Sequence, residues 1–307
     1  MPTSLFLILA GATAAYMAVQ LAAAIGVWQT RRLAPPPPPG VWPTVSVVIP
    51  ARDEADRIRD CIDGILACDY PEDRLQVVVV DDFSTDATAA RVRSAQPVAA
   101  GATPAGDEAD GPEIDLVRMD QIHPSNGGHK PAAVAQGIEA ATGEVILTTD
   151  ADCQVEPGWI RSMVRRCTPQ TPFVAGAVRY RYSHRYLERL QALAFAGLVA
   201  FGAGTLGLGV PTYCNSANIA VRRDVLEGLD APPPEAADDP SLVDGAARDE
   251  MLLQHVAYAT DRNVAFNPDA EAVVTTEPAP SLDAYLHQQA RWASMEIGRA
   301  SCRERVY

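Results

Sequence analysis

The chain has 307 residues, enough for one large domain or two small ones, and it carries 25 basic against 39 acidic side chains for a formal net charge of −14. A surface this negative repels phosphate backbones, which argues against nucleic acid as a partner. Its six cysteines are scattered without a C-x-x-C pair, so they form neither a disulfide framework nor a zinc site of that kind, and they point to a reducing compartment.

Thr3 to Trp28 contains no charged residue, and Arg31 and Arg32 follow directly. At about 1.5 Å rise per residue such a segment crosses a hydrocarbon core of about 30 Å. Residues 1–32 therefore read as a transmembrane anchor in the cell membrane. The arginine pair holds the downstream domain in the cytoplasm and leaves the N-terminus outside. A cleaved signal peptide is the weaker reading, because Met1 to Ser4 has no basic side chain and the basic pair lies after the apolar run. Pro35 to Pro39 makes residues 33–43 a stiff, extended spacer.

Val45 to Ile49 is a buried-strand pattern stopped by Pro50, and Ala51-Arg52-Asp53-Glu54-Ala55 leads into a helix with Ile58, Cys61, Ile62, Ile65 and Leu66 at helical spacing. Gln76 to Val80 is a second strand, followed by the polar turn Asp81-Asp82-Phe83-Ser84-Thr85-Asp86. The alternation of apolar strands with helices predicts an α/β fold, a doubly wound, mostly parallel sheet covered on both faces. Pro97 to Pro112 reads as a solvent loop, and Ile114 to Val117 as a short strand. Asn126-Gly127-Gly128-His129-Lys130-Pro131 is a glycine turn into a helix, with Pro131 suited to the first helical position.

Gly143 precedes the stretch Glu144 to Asp152, which begins as a short, β-branched apolar run, reads as a buried strand and ends in Asp150-Ala151-Asp152. Side chains two apart on a strand share a face, so Asp150 and Asp152 are expected to present their oxygens together at a strand's carboxyl end. Open α/β sheets bind ligands there. Two carboxylates suit a hard cation, Mg²⁺ or Mn²⁺, that shares its remaining positions with substrate phosphates. Taken alone, Asp-x-Asp is a common polar turn.

Pro157-Gly158-Trp159 begins another helix, and Phe173 to Val178 reads as a strand. Ala192 to Val210 is apolar, uncharged and glycine-rich, and is expected to be buried in the domain or seated shallowly at the membrane face rather than to span it. After a Pro- and Asp-rich loop at 231–247, Arg248-Asp249-Glu250 starts a helix with acids in its first turn. Ala272 to Thr276 reads as a strand, and Leu282 to Trp292 as a helix containing Gln288-Gln289-Ala290-Arg291-Trp292.

The ordered set Val45–Glu54, Val77–Asp86, Gly127–Gly137, Asp150-Ala151-Asp152, Cys214–Arg222, Asp249 and Gln288-x-x-Arg291-Trp292 resembles the motif series of family 2 glycosyltransferases of the GT-A fold, in their membrane-attached, polysaccharide-synthase-like branch. The resemblance covers nearly all of Val45 to Trp292, inside a catalytic domain expected at residues 44–295. It implies inverting transfer of a sugar from a nucleotide-sugar donor, a UDP-sugar, to a hydroxyl of a glycan or lipid acceptor. Asp53, Glu54, Asp81 and Asp82 would then lie at the base and ribose, although Asp53 or Glu54 also suits a helix cap. Lys130 and Arg291 would reach the diphosphate. Asp150 and Asp152 would hold the metal, with Asp150 also at the donor. Asp249 would be the base, with Glu250 its rival. Gln288 and Trp292 would meet the acceptor, Trp292 reading equally well as a core aromatic.

The sequence departs from that pattern in three ways. His129 precedes the lysine where Gly or Ala is usual, Arg248 stands where a second acid is frequent, and the chain stops within fifteen residues of Trp292 instead of continuing into membrane helices. The last stretch, residues 296–307, carries three arginines and little apolar pattern, and resembles the translation of a common short-read sequencing adapter. It is expected to be a non-native tail on a protein that ran on. Two other readings of the whole chain are a metal-dependent nucleotidyltransferase, whose basic Gly-rich loop Pro50–Glu54 does not resemble, and a non-catalytic membrane-anchored protein that binds nucleotide-sugars, which has no need of Asp150, Asp152 and Asp249 together.

Overall fold

A computed structural model describes residues 2–95, 112–119, 129–229, 249–259, 263–290 and 292. The chain begins with helix α1 (Pro2–Arg32). After the proline segment come β1 (Val45–Ala51), α2 (Ile58–Leu66), β2 (Leu75–Asp81), α3 (Thr88–Arg93) and β3 (Glu113–Arg118). They are followed by α4 (His129–Ala140), β4 (Val145–Thr148), α5 (Trp159–Arg166), β5 (Phe173–Gly176) and β6 (Val178–Tyr180). Next are α6 (Tyr186–Gly207), β7 (Ile219–Arg222), α7 (Arg223–Leu229), α8 (Asp249–Ala259), β8 (Val264–Asn267) and β9 (Val274–Thr276), then helical residues 282–290.

Seven strands form one sheet in the order β3-β2-β1-β4-β7-β5-β8, while β6 and β9 pair separately. β3, β2, β1 and β4 are mutually parallel, β7 runs antiparallel to both β4 and β5, and β8 is parallel to β5. The Val/Ile runs explain the buried half. Alternate side chains of a strand point to opposite faces, and both faces here are covered. Val47, Ile49, Val77 and Val79 enter one core with α2, α3 and α5, and Val48, Val78 and Val80 enter the other with α4, α7 and α8. On α5, Trp159, Ile160 and Met163 are fully buried, each contributing roughly 1.5–3 kcal/mol from area removed from water.

The lower end of the sheet is closed by Gly143. A Cβ there would sit 2.5 Å from the Ser46 backbone nitrogen, so any side chain forces α4 and β4 away from β1. The Gly143 N–H donates to Ser46 Oγ at 2.8 Å, and Gln76 donates to Asp115 at 2.7 Å, which satisfies the polar groups buried at this end.

The chain also departs from the sequence reading. The stretch Phe173 to Val178 is two strands in two sheets, not one. Ala272 belongs to a short 3-10 turn, and β9 starts at Val274. Helix α4 starts at His129, so Pro131 is its third residue rather than its first. That position still tolerates proline, because the first N–H groups of a helix have no partner inside it. The apolar stretch after Ala192 is part of the longer helix α6. Both α1 and α6 are long and apolar enough to cross a membrane. Residues 96–111, 120–128 and 293–307, with the glycine turn and the C-terminal tail, lie outside the described residues.

Candidate functional site

Three neighbouring parallel strands, β2, β1 and β4, end side by side, with Ala51 paired to Asp81 and Val48 to Thr148. The segments leaving them carry Asp53–Glu54, Asp81–Asp82 and Asp150–Asp152. Parallelism puts all the carboxylates at one edge of the sheet, where such sheets bind ligands.

The first two segments are laced together. The Asp82 N–H donates to the Ala51 carbonyl at 2.8 Å. The Asp53 N–H donates to Ser84 Oγ at 3.0 Å, and Asp53 Oδ1 accepts from the Thr85 N–H at 2.7 Å and from its hydroxyl at 3.1 Å. The Glu54 and Ala55 N–H groups donate to Thr88 Oγ1 and Asp86 Oδ2. Donation from the Thr88 hydroxyl holds the Asp86 carboxyl below its ordinary range. Asp53 and Phe83 have φ of 54° and 55°, the left-handed region that non-glycine residues rarely occupy. The lacing offsets that strain. Asp53 and Asp86 therefore hold the loops as well as facing the edge. Asp81 is buried, accepts from the Ser84 N–H at 3.1 Å, and lies 3.3 Å from Arg118, while Asp82 lies 3.8 Å from Arg52.

Asp150 and Asp152 come together by a different route from the one expected. β4 ends at Thr148, and both aspartates sit in the turn after it, where the Cys153 N–H donates to the Asp150 carbonyl at 3.0 Å. Strand alternation does not align them; the turn does. Lys130 Nζ lies 2.7 Å and 2.9 Å from the two oxygens of Asp150. Asp152 Oδ2 accepts from the Thr276 hydroxyl at 3.1 Å and lies 3.7 Å from Arg57. β9 is held there by a bridge between Gln154 and Thr275.

Burial, and then the neighbouring charge of Asp150, raise the Asp152 carboxyl above its ordinary range. Burial also lifts Glu54 to about 7, opposed by Arg57 and aided by Asp152, Asp150 and Asp86. Glu54 Oε2 is buried without a hydrogen-bond donor and lies 3.5 Å from Arg57. The paired carboxylates of Asp150 and Asp152, beside an orphaned carboxylate oxygen of Glu54, are a hard-oxygen donor set that fits Mg²⁺ or Mn²⁺. Among the described residues, no three or more His, Cys, Asp or Glu side chains are placed to hold a metal ion by themselves. The fit is thus to a metal that takes its other oxygens from a phosphate ligand or water.

Behind the turn, Cys61 and Cys153 are buried thiols pushed well up by burial, which makes them packing groups rather than nucleophiles. Asn218 is fully buried. It accepts from Trp159 Nε1 at 3.0 Å and donates to the Ala177 and Ala272 carbonyls at 2.8 Å and 2.7 Å, tying α5 to the β6 and β9 segments.

The acceptor-side candidates sit on the last helix. Gln288 Oε1 accepts from Tyr180 Oη at 3.5 Å, a weak contact at the limit of hydrogen bonding. The half-buried Trp292 packs on the first core, its ring 6.3 Å from that of Phe195. This packing matches the reading of Trp292 as a core aromatic. Asp249 opens α8, which is anchored by Leu252, Leu253 and Val256; the side chains of Asp249 and Glu250, and Arg291 as a whole, lie outside the described residues. Sequence reasoning did not find Arg57, Thr276, Arg52 or Arg118. Only Arg57 had a local signal, since it follows Glu54 by one helical turn.

The family model described as glycosyl transferase family 2 matches residues 46–229. An N-acetylglucosaminyltransferase of Mesorhizobium japonicum is 28% identical over 271 residues, covering 84% of this chain and 57% of that protein. A probable glycosyltransferase of Bacillus subtilis, YdaM, is 26% identical over 260 residues, covering 82% of this chain and 54% of its own length. The chain thus spans a little over half the length of these relatives. Among solved structures, a mannosyltransferase from Pyrobaculum calidifontis in complex with GDP-mannose and Mn²⁺ superposes with a TM-score of 0.59 at 24% identity, covering 91% of this chain and 71% of that one.

Proposed function

The chain belongs to glycosyl transferase family 2, and from that premise we propose that it transfers a sugar from a nucleotide-sugar, a UDP-sugar, to a hydroxyl of a glycan or lipid acceptor at the cytoplasmic face of the membrane. The observation that carries this reading is the convergence of the three carboxylate-bearing segments at the ends of β2, β1 and β4.

The laced Asp53 and Asp81–Asp82 segments form the base and ribose side. Donor N–H and O–H groups there meet carboxylates already fixed by Ser84, Thr85 and Arg118. Fixed acceptors cost little reorganisation when the ligand arrives. Lys130, on the first turn of α4, is a point charge for the diphosphate, and Arg291 joins it. Asp150 and Asp152 would hold Mg²⁺ or Mn²⁺, which offsets charge growing on the leaving diphosphate. Thr276 and Arg57 orient Asp152 through its Oδ2.

In the transfer itself an acceptor hydroxyl oxygen bonds to the anomeric carbon as the bond to the diphosphate oxygen breaks. The hydroxyl proton passes to a carboxylate, and Asp249 at the start of α8 is our assignment for that base. Gln288 and the exposed part of Trp292 form the acceptor side, where a flat ring suits the apolar face of a sugar.

The test is turnover of a panel of UDP- and GDP-sugars with membrane lipid extract, with and without Mn²⁺. Metal-dependent transfer from one donor is the expected result. Release of pyrophosphate instead of a nucleoside diphosphate would mark nucleotidyl transfer, and binding without any turnover would mark a non-catalytic protein.

A further inference from the structure

A cleft of about 730 Å³ lies between the proline segment and α5, a volume in the range of sites for small ligands. None of the three carboxylate segments at the strand ends lines it. One wall carries Pro38 and Trp42, another is α5 with Gly158 before it, and the third is the turn Asp269-Ala270-Glu271.

The first wall is fixed along its length. Prolines have no N–H to hold them, so this segment is held by its carbonyls. Arg165 donates to the Pro36 carbonyl from Nε at 3.1 Å and from Nη2 at 2.6 Å. Arg166 donates to the Leu33 carbonyl at 3.4 Å, Arg74 to that of Trp42 at 2.9 Å, and the Tyr70 hydroxyl to that of Pro43 at 2.6 Å. Upstream, α1 meets α6 at Gly26 and Gly204, where neither glycine leaves room for a Cβ. Trp42 is half-buried and edge-on to Tyr70, with ring centroids 5.7 Å apart. Pro38 and Trp42 are thus a preformed apolar wall, which costs little ordering when a ligand arrives.

The other walls are polar and balanced in charge. Arg161 lies 3.0 Å from Asp69, with its guanidinium 5.1 Å from the centre of the Trp42 ring, and Arg166 lies 2.9 Å from Asp269. Arg165 and Glu271 add one charge of each sign. The Glu271 carboxylate rests against Gly158, where a Cβ would stand 2.5 Å from Oε2, so the absence of a side chain there makes room for it. Carboxylates and guanidinium groups cancel, which leaves no net charge to draw an ion, and a hydrocarbon chain would leave these polar groups without partners. The walls suit a neutral ligand with an apolar ring face and polar groups that both donate and accept. Hydroxyl groups do both, and a sugar ring carries them around an apolar face. Arg161 Nε is buried without an acceptor in the protein, so this side chain gains a hydrogen bond by turning to a ligand oxygen.

We propose that this cleft is a saccharide site outside the reaction centre, taking a neutral oligosaccharide whose ring lies on Trp42 and Pro38 and whose hydroxyls meet Arg161 and Glu271. It holds a glycan at the protein without occupying the side proposed for the acceptor. Binding there needs neither donor nor metal, so it is measured apart from transfer.

The test uses the full chain in detergent micelles with its four tryptophans replaced by 5-fluorotryptophan, and ¹⁹F resonances assigned through Trp42→Phe and Trp292→Phe. The probes are triacetylchitotriose and maltotriose, with uridine and inorganic phosphate as controls, all without metal. The expected result is a saturable shift of the Trp42 resonance by at least one oligosaccharide and by neither control, with the Trp292 resonance in place. Ala270→Phe fills the cleft from an exposed position, and Glu271→Ala removes an exposed acceptor. Each should weaken binding several-fold without changing the melting temperature. An oligosaccharide that moves Trp292 and not Trp42 binds on the acceptor side and overturns the proposal. A Trp42 shift from uridine or phosphate alone shows another ligand class and overturns it. Full-strength binding in both Ala270→Phe and Glu271→Ala overturns it as well. No Trp42 shift with any probe, in a protein that still transfers sugar, overturns it and leaves the proposed reaction standing.

Discussion

The two sides of the site are built by different forces. On the side proposed for the donor, side chains and backbone N–H groups of the segments after β1 and β2 hold one another at hydrogen-bond distance, and two residues are kept at positive φ. On the side proposed for the acceptor, Gln288 meets Tyr180 at 3.5 Å and Trp292 leans on Phe195 of α6. The first side is a fixed polar cradle. The second is positioned by apolar packing on a helix that itself faces outward. Donor recognition is therefore expected to be rigid and separable by point mutation, whereas acceptor handling is expected to depend on how α6 is seated.

The largest expected effect breaks the polar side. Asp150→Asn or Asp152→Asn removes one carboxylate of the pair and should lower metal-dependent turnover by about a thousandfold, roughly 4 kcal/mol of barrier. The fold should persist, since each change also relieves repulsion between the two acids, and circular dichroism with steady-state kinetics would check both. Asp249→Asn should spare donor binding and cost transfer about 10²–10⁴-fold, the range for a lost base. Near-normal turnover in that variant together with an inactive Glu250→Gln would move the base by one residue.

A structural break comes next. Asn218→Leu takes the partner from the indole N–H of Trp159 and from the Ala272 carbonyl, each costing about 1–3 kcal/mol, and leaves the Ala177 carbonyl with the Val274 N–H alone. Thermal unfolding should show a large loss, and both sides of the site should fail together because Asn218 ties α5 to β6 and β9.

A smaller effect concerns Glu54. Its folded carboxyl titrates near 7 against an ordinary 4.5, so the folded state keeps a proton that the unfolded chain has lost between those values. The sign follows: this contribution to stability is present below about pH 4.5 and is lost as pH rises through about 7, amounting to no more than about 3 kcal/mol. Glu54→Gln should flatten the melting temperature across that window and raise it at pH 8. An unchanged slope from pH 5 to 7 would show that Glu54 is not the group responsible. The smallest expected effect is on the apolar side. Trp292→Phe should raise the acceptor KM a few-fold and leave donor binding as it was, as titration of each substrate would show.

Much of the polar side was legible in the sequence. Val45–Ile49, Gln76–Val80 and Val145–Thr148 are dominated by Val, Ile and Leu, the pattern of parallel strands buried on both faces. Once they are parallel neighbours, their trailing aspartates must meet. What the runs could not reveal is how Asp150 and Asp152 are aligned. That depends on a turn closed by the Cys153 N–H and on Thr276, far along the chain. β7 and β8 are four-residue strands defined by partners across the sheet, with too few residues to show a period. Arg118 and Arg57 reach the site through register and helix phase, neither of which a motif carries. α6 was read as a glycine-rich apolar segment, but which glycines face α1 is a matter of helix–helix contact.

The central claim is that Asp150 and Asp152 join a metal to the diphosphate of a nucleotide-sugar. Its most direct measurement is titration of Mn²⁺ into the protein, followed by the electron paramagnetic resonance signal of free Mn²⁺, with and without UDP, for the wild type and for Asp152→Asn. Mn²⁺ alone should bind weakly, UDP should tighten that binding at least tenfold, a gain of about 1.4 kcal/mol or more, and Asp152→Asn should lose the gain. Coupling between UDP and Mn²⁺ of wild-type size in the variant would contradict it.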